Sequence, residues 1–311
     1  MSQKLALVFP GQGSQTVGML ADLYAEYAIV RDTFAESSAA LGYDLWQLVA
    51  NGPESDLNET HRTQPALLTA SVAIWRLWQQ QDGATPDYLA GHSLGEYSAL
   101  VCAGVLSLGD AVSLVEKRGQ YMQTAVPAGT GAMSAIIGLD DALIAKACDE
   151  AAQGEVVSPV NFNSPGQVVI AGNKAAVERA NELCKAAGAK RALPLPVSVP
   201  SHCALMKPAA AQLATDLASM SFNAPSFAVV NNVDVAIAAD EAAVKDALVR
   251  QLYSPVRWTE TIEWLSAQGV TQVVEIGAGK VLNGLVKRIN RDLEVSSVND
   301  LASFKAAFAA E

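Results

Sequence analysis

Residues 87–105 read DYLAGHSLGEYSALVCAGV. Asp87–Gly91 suits a short buried strand, and the apolar run Leu94–Val105 suits a helix. Only two residues separate them. Gly91-His92-Ser93-Leu94-Gly95 therefore fits G-x-S-x-G in a strand–turn–helix setting, the pattern of a nucleophile elbow. The serine of such a turn is strained, and side chains at the flanking glycines would collide with the crossing strand and helix. The turn also sets Ser93 at a helix N-terminus, where the Leu94 N–H can face a developing oxyanion. The plainer alternative makes Ser93 only an N-cap.

Outward from the elbow, the chain alternates strand and helix as an α/β protein does. Lys4–Phe9 predicts a buried strand ending in the loop Pro10-Gly11-Gln12-Gly13. Gln64–Gln80 predicts a long helix. Ser107-Leu108-Gly109-Asp110 resembles a capping box and starts another helix, running to about Gln123. The middle of the chain changes character. Strands at Ala132–Leu139, Val156–Phe162 and Gln167–Ala171, helices at Asp141–Ala152 and Lys174–Ala187, and an extended Arg191–Val199 give the order β-α-β-β-α-β. That is the ferredoxin-like pattern. The larger unit resumes near Ala204, with strands expected at Phe227–Asn232 and Val273–Ile276. The division expected is 1–126 with 203–311 for the large domain, and 127–202 for a small inserted one.

An activated serine needs a base, and the chain has 3 histidines. His92 adjoins Ser93 and should point away at a sharp turn, packing or hydrogen bonding beneath it. His61 sits in the polar stretch Asn58–Arg62 and is expected in a solvated loop. His202 lies where the inserted domain ends, at the mouth of an interdomain cleft, and is the candidate base by elimination. A satisfied structural histidine is the alternative. Metal-ligand spacings, a Walker A loop and G-x-G-x-x-G are all missing, and Gly11-x-Gly13 is too short for a dinucleotide site. Arg118 stands out on the helical wheel of Leu108–Met122, because it falls inside the apolar arc between Leu114 and Met122. A buried guanidinium requires an anion. A structural Asp or Glu and a substrate carboxylate fit equally well.

Composition bounds the function classes. The chain has 311 residues, 50% hydrophobic and 17% charged, enough for a sizeable core. The formal charge of −11 argues against bulk binding to nucleic acid or an anionic membrane. The start, Met1-Ser2-Gln3-Lys4-Leu5, lacks the features of a secretory leader, and no window reads as a spanning helix. The spacings of Cys102, Cys148, Cys184 and Cys203 match no redox or metal motif, so free thiols in a reducing cytoplasm are expected.

Phe9-Pro10-Gly11-Gln12-Gly13-Ser14-Gln15, Gly91-His92-Ser93-Leu94-Gly95-Glu96-Tyr97 and Pro200-Ser201-His202 together resemble the malonyl-CoA:acyl carrier protein transacylases of bacterial fatty acid synthesis. The likeness runs the whole length and includes Asn161–Gln167 and Pro194–Lys207. It implies an α/β-hydrolase-like large domain carrying a ferredoxin-like small one. It implies ping-pong chemistry without a cofactor, in which Ser93 takes the malonyl group from malonyl-CoA and an acyl carrier protein then removes it. His202 would be the base. Gln12 and Leu94 would supply oxyanion-hole N–H groups, and Arg118 would clamp the malonyl carboxylate. Gln251 would belong to the substrate site, its backbone carbonyl orienting His202. Gln167 and Arg191 would contact coenzyme A. Val199-Pro200-Ser201 is the pattern associated with malonyl rather than methylmalonyl.

Three alternatives share parts of this pattern: a serine thioesterase or esterase with the same elbow, a polyketide-type acyltransferase, and a non-catalytic carrier-binding subunit. Arg118 argues against the first, since neutral esters have no use for a cation in the acyl pocket. The pair Ser93 and His202 argues against the last. Charge is also unevenly spread. Leu183–Thr215 and Ile276–Arg291 lack acids and hold Lys185, Lys190, Arg191, Lys207, Lys280, Lys287, Arg288 and Arg291. If those windows border the cleft, they offer anionic partners a local docking surface.

Overall fold

The computed structural model describes residues 3–197 and 199–309; Ser198, in the extended segment before His202, lies outside them. Two sheets organise the chain. The first is parallel and contains β1 (Lys4–Phe9) and β2 (Tyr88–Gly91). The second is antiparallel and is built from β3 (Gly131–Ile137), β4 (Val157–Ser164), β5 (Gln167–Asn173) and β6 (Arg191–Pro194). β7 (Ala228–Val230), β8 (Val270–Ile276) and β9 (Glu294–Val298) return to the first. The parallel order is β7-β2-β1-β8-β9 and the antiparallel order is β4-β5-β3-β6. Counted by its own strands, the parallel sheet runs 3-2-1-4-5, the doubly wound order, which reverses beside β1.

The parallel strands are almost wholly apolar because helices cover both faces. β1 is buried from Leu5 to Phe9. Alternate residues of β1 enter different cores: Leu5, Leu7 and Phe9 join one apolar cluster, Ala6 and Val8 another. On the first side, the helices Thr60–Gln80 and Leu108–Thr124 cross closely. A side chain at Gly119 would come within 2.4 Å of His61 Cα. No helix among the described residues is long and apolar enough to cross a membrane.

Several elements differ from the sequence reading. The long helix begins at Thr60 rather than Gln64, with Pro65 inside it. Its first turn is polar, but Gln123 Oε1 approaches both the His61 backbone N–H, at 3.3 Å, and Nδ1, at 2.7 Å. His61 is thus a docked helix residue and not a solvated loop residue. The strand expected at Phe227–Asn232 stops at Val230, because Asn231 Oδ1 turns back to accept from Val233 N–H and Asp234 N–H. The helices Ala21–Glu26, Ala28–Leu41, Leu45–Asn51 and Glu54–Leu57, and strand β9, had no counterpart in that reading. Ser107 does cap its helix, accepting from Asp110 N–H. All four cysteines are buried thiols.

Two glycines in helices should respond oppositely to alanine. Gly119→Ala forces the crossing helices apart and should cost about 1–3 kcal/mol. A methyl at Gly284 meets nothing within 4 Å, so Gly284→Ala should stabilise by about 0.5–1 kcal/mol. Urea unfolding midpoints of the two variants check both signs.

Candidate active site

Three chain segments meet at the carboxyl ends of neighbouring parallel strands, where ligands of open α/β sheets bind. They are the loop Pro10–Gly13 after β1, His92 and Ser93 after β2, and Asn231 and Asn232 after β7. Ser93 takes φ 53° and ψ −110°, a region side chains rarely adopt. The glycines make that turn possible. A Cβ at Gly91 would lie 1.9 Å from the Gly95 carbonyl, and one at Gly95 would lie 2.1 Å from Phe9 O. Asn232 staples the turn from outside. Its Oδ1 accepts from Ser93 N–H at 2.7 Å, and its Nδ2 donates to Gly91 O at 2.6 Å. The Ser93 hydroxyl caps nothing in its own helix.

Instead that hydroxyl faces His202, with Oγ 2.8 Å from Nε2. His202 Nδ1 lies 2.7 Å from the backbone carbonyl of Gln251. A carbonyl only accepts, so Nδ1 carries the proton and Nε2 is left to accept from Ser93. His202 is 3% exposed. Burial, reinforced by the nearby Arg118 cation, pushes its pKa down to about 3 against the single favourable bond to Gln251. The ring is a neutral base. His92 turns away, as its place in the elbow suggested, and its Nε2 meets Asn163 Oδ1 at 2.7 Å.

Arg118 is 1% exposed. Its Nη1 donates to Gln64 Oε1 at 2.8 Å, and its Nη2 donates to Gln251 Oε1 at 2.7 Å and to Ser93 Oγ at 3.3 Å. The Tyr97 ring lies beneath it at 5.2 Å. Among the described residues no carboxylate oxygen comes within 4.0 Å of the guanidinium. Of the two partners left open by the sequence, a directly paired Asp or Glu is therefore not what holds Arg118. Amide oxygens orient the guanidinium without neutralising it, and an open positive charge stands beside the nucleophile.

Ser93, His202 and Arg118 line a cleft of about 500 Å³, bordered also by Met122, Met133, Leu195 and Val199. Gln12 and Leu94 border it too, and among the described residues their backbone N–H groups donate to no acceptor. Gln167 and Arg191 do not line it. Both sit opposite Ile137 on the antiparallel sheet, four residues along β3 from Met133, about 13 Å by strand rise. Arg288 donates to Gln167 there at 2.6 Å, and Lys190 packs by Gly138. The structure thus gathers Ser93, His202, Arg118, Gln251, Gln12 and Leu94, and leaves Gln167 and Arg191 at a separate, basic end. Gln64, Glu96, Asn163 and Asn232 were missed. Glu96, a lone charge inside an apolar helix, carried the same signal as Arg118; the amides carried none.

A half-buried serine facing a buried histidine at a strained elbow, with two N–H groups and a cation that among the described residues have no acceptor or carboxylate bonded to them, is an arrangement suited to serine-dependent acyl transfer. Residues 6–304 match the acyl transferase domain family, and the chain belongs to that family. It is 68% identical over 304 residues to a malonyl CoA-acyl carrier protein transacylase of Salmonella typhimurium, covering 98% of both chains. A solved acyl carrier protein S-malonyltransferase from Vibrio cholerae is 70% identical, with TM-score 0.96 over 98% of this chain and 99% of that one. A solved malonyl-transacylase in complex with its type II PKS acyl-carrier protein is 63% identical, with TM-score 0.98 over 99% and 100%.

The depressed pKa of His202 has a measurable consequence. Between about pH 6.5 and 3 the unfolded chain binds a proton at this residue and the folded chain does not. Its contribution to stability is therefore complete above 6.5 and falls as pH falls through that window. Replacing His202 by Gln should narrow the stability gap to wild type at pH 4.5 relative to pH 7.5. Urea unfolding at both pH values reads the difference.

Proposed function

We propose that this chain transfers the malonyl group of malonyl-CoA to the phosphopantetheine thiol of an acyl carrier protein, through a malonyl-serine ester, in support of fatty acid elongation. The observation that carries this reading is the buried guanidinium of Arg118, 3.3 Å from the Ser93 hydroxyl and, among the described residues, with no carboxylate bonded to it directly. A malonyl thioester places a carboxylate two carbons beyond the carbonyl that Ser93 attacks, so one acyl group meets both residues.

In the first half-reaction Ser93 Oγ attacks the thioester carbonyl, and its proton passes to His202 Nε2. The oxyanion points at the N–H groups of Gln12 and Leu94. The C–S bond then breaks, and the leaving thiolate takes the proton from His202. The second half-reaction runs the same steps in reverse with the carrier thiol as nucleophile. No cofactor takes part, and coenzyme A enters only as part of the substrate. In this reading Gln167 and Arg191, with Arg288, would meet the distal anionic end of coenzyme A or an acidic carrier, a role their position at one basic end of the antiparallel sheet supports.

Residues 1–126 and 203–311 form the catalytic domain in this reading, and 127–202 the inserted one. The β-α-β-β-α-β order and antiparallel sheet support the ferredoxin-like description of the insert. The likeness of the large domain to α/β-hydrolases rests on the elbow, since its strand order is the doubly wound one. We place the protein in the cytoplasm, where its thiols remain reduced. A second reading, service to a polyketide carrier, is favoured by the solved relative bound to a type II PKS carrier.

Mass spectrometry of the intact protein tests the reading. Malonyl-CoA should add one malonyl group, which either type of acyl carrier protein then discharges, and Ser93→Ala should carry no adduct. An adduct on that variant, or one lost to water without transfer to carrier, rejects the proposal. Arg118→Ala should lose roughly two to four orders of magnitude in malonyl transfer, from the ~3–5 kcal/mol cost of breaking a buried charged pair. Acetyl transfer, measured by the same discharge assay, should lose far less.

A further inference from the structure

Glu96 is 2% exposed and lies one turn beyond Ser93 on the elbow helix, Leu94–Cys102. A single oxygen, Oε2, accepts from Asn232 N–H at 3.0 Å and from Gln251 Nε2 at 2.8 Å. Asn232 is the residue that staples both sides of the elbow. Gln251 holds more still. Its backbone carbonyl orients His202, its Oε1 takes Arg118, and its Nε2 also donates to Ser93 O at 3.1 Å. The amide orientation is forced, because Arg118 only donates, so Oε1 must face it and Nε2 must face Glu96. One carboxylate oxygen therefore anchors the two segments that carry the nucleophile's turn and the base's support.

We propose that Glu96 is a positioning residue whose carboxylate fixes Asn232 and Gln251, and supplies, one side chain removed, the negative charge against which His202 becomes an imidazolium during acyl transfer. The inference rests on the malonyl-transfer reading above. In a serine triad a carboxylate bonds the histidine directly. Here a peptide carbonyl has that place, and the carboxylate stands behind it. An anion is needed nearby, because burial and Arg118 both oppose a positive ring.

The charge of Glu96 is also titratable under working conditions. Burial pushes its pKa up to about 7, against the Asn232 N–H, the Gln251 amide and Arg118, while Asp234 pushes it up further. The charged and titratable groups facing it are Arg118 from the Leu108–Thr124 helix, Asp234 from the turn after β7, and Tyr97 on its own helix; His202 is reached only through Gln251. Behind it lies a cavity of about 20 Å³ bordered by Leu100, Val105, Val229 and Asn231, which shares no lining residue with the catalytic cleft. That is room for about one water beside the carboxylate. The anion forms as pH rises, so acylation should fall as pH drops through about 7.

Rapid-quench measurement of Ser93 acylation by malonyl-CoA from pH 5.5 to 8.5 tests this. Wild type should show an inflection near 7. Glu96→Gln should acylate roughly ten- to hundredfold more slowly at pH 8, with an unchanged or lower half-saturating malonyl-CoA concentration, and without the inflection. Glu96→Asp, which keeps the charge, should recover part of the rate and the inflection. A Glu96→Gln protein with wild-type rate overturns the proposal. So does one whose half-saturation rises in proportion to its loss, with an unaltered pH profile. If Glu96→Gln fails to fold, wild type and Glu96→Asp decide, and a flat wild-type profile across 7 overturns it. Absence of any Ser93 adduct in wild type would instead reject the malonyl-transfer reading, and is seen separately.

Discussion

A guanidinium buried without a direct carboxylate partner is the constraint around which this site is built. A fixed charge in a low-dielectric interior is costly unless it is solvated by dipoles. Arg118 is held by the amide oxygens of Gln64 and Gln251, each reaching it from a different helix. Amides orient the charge and leave it free to attract an anion. A carboxylate in either place would close the ion pair and remove the reason for a substrate carboxylate to bind. The same charge lies close enough to His202 to help keep the ring neutral before substrate arrives. On the proposed reading one cation would therefore both attract the acyl carboxylate and help burial keep His202 unprotonated.

The second constraint is steric. Ser93 and His202 lie 109 residues apart in sequence and their facing atoms, Oγ and Nε2, 2.8 Å apart in space. That meeting depends on backbone passing backbone with no side chain between. Gly95 sits against Phe9 O, Gly91 against Gly95, and Gly11 against His92 O, so β1, β2 and the elbow helix form one tight crossing. Ser93 takes its strained φ within that tight crossing. Asn232 then holds the strained turn by its amide, which leaves the serine hydroxyl free of structural duty.

What could be read in advance follows from this division. The elbow was legible because glycine is the only residue that fits two such approaches, so the pattern is written in residue types. Arg118 was legible because a charge inside an apolar arc is a conflict that demands an explanation. Glu96 posed the same conflict beside the elbow and was passed over. The antiparallel unit was legible from its order of strands and helices. Gln64, Asn163 and Asn232 were not, since an amide serves as well on a surface as in a core, and only the folded neighbours make it an acceptor for Arg118 or a staple for Ser93. The start of the Thr60–Gln80 helix was hidden for a related reason. Its polar first turn is held by Gln123, which lies 62 residues later on the Leu108–Thr124 helix and is admitted by Gly119.

Net charge poses the remaining problem, because a body of −11 should repel coenzyme A and an acidic carrier alike. Distance resolves it. At physiological ionic strength the field of exposed charges decays over about 8 Å, so a docking anion responds mainly to groups within that range of its own surface. Lys190, Arg191 and Arg288 gather at one end of the antiparallel sheet, joined by the bond from Arg288 to Gln167. Two further basic residues of those windows are engaged elsewhere: Lys185 pairs with Glu182, and Lys207 lies over the Tyr253 ring. The local patch is therefore smaller than the sequence windows suggested, and also better placed. About 13 Å of β-strand separates it from the cleft wall at Met133. On the proposed reading, an anionic head held there would keep its charge outside, while a neutral arm reached in and the terminal carboxylate met Arg118, which among the described residues has no carboxylate within 4.0 Å.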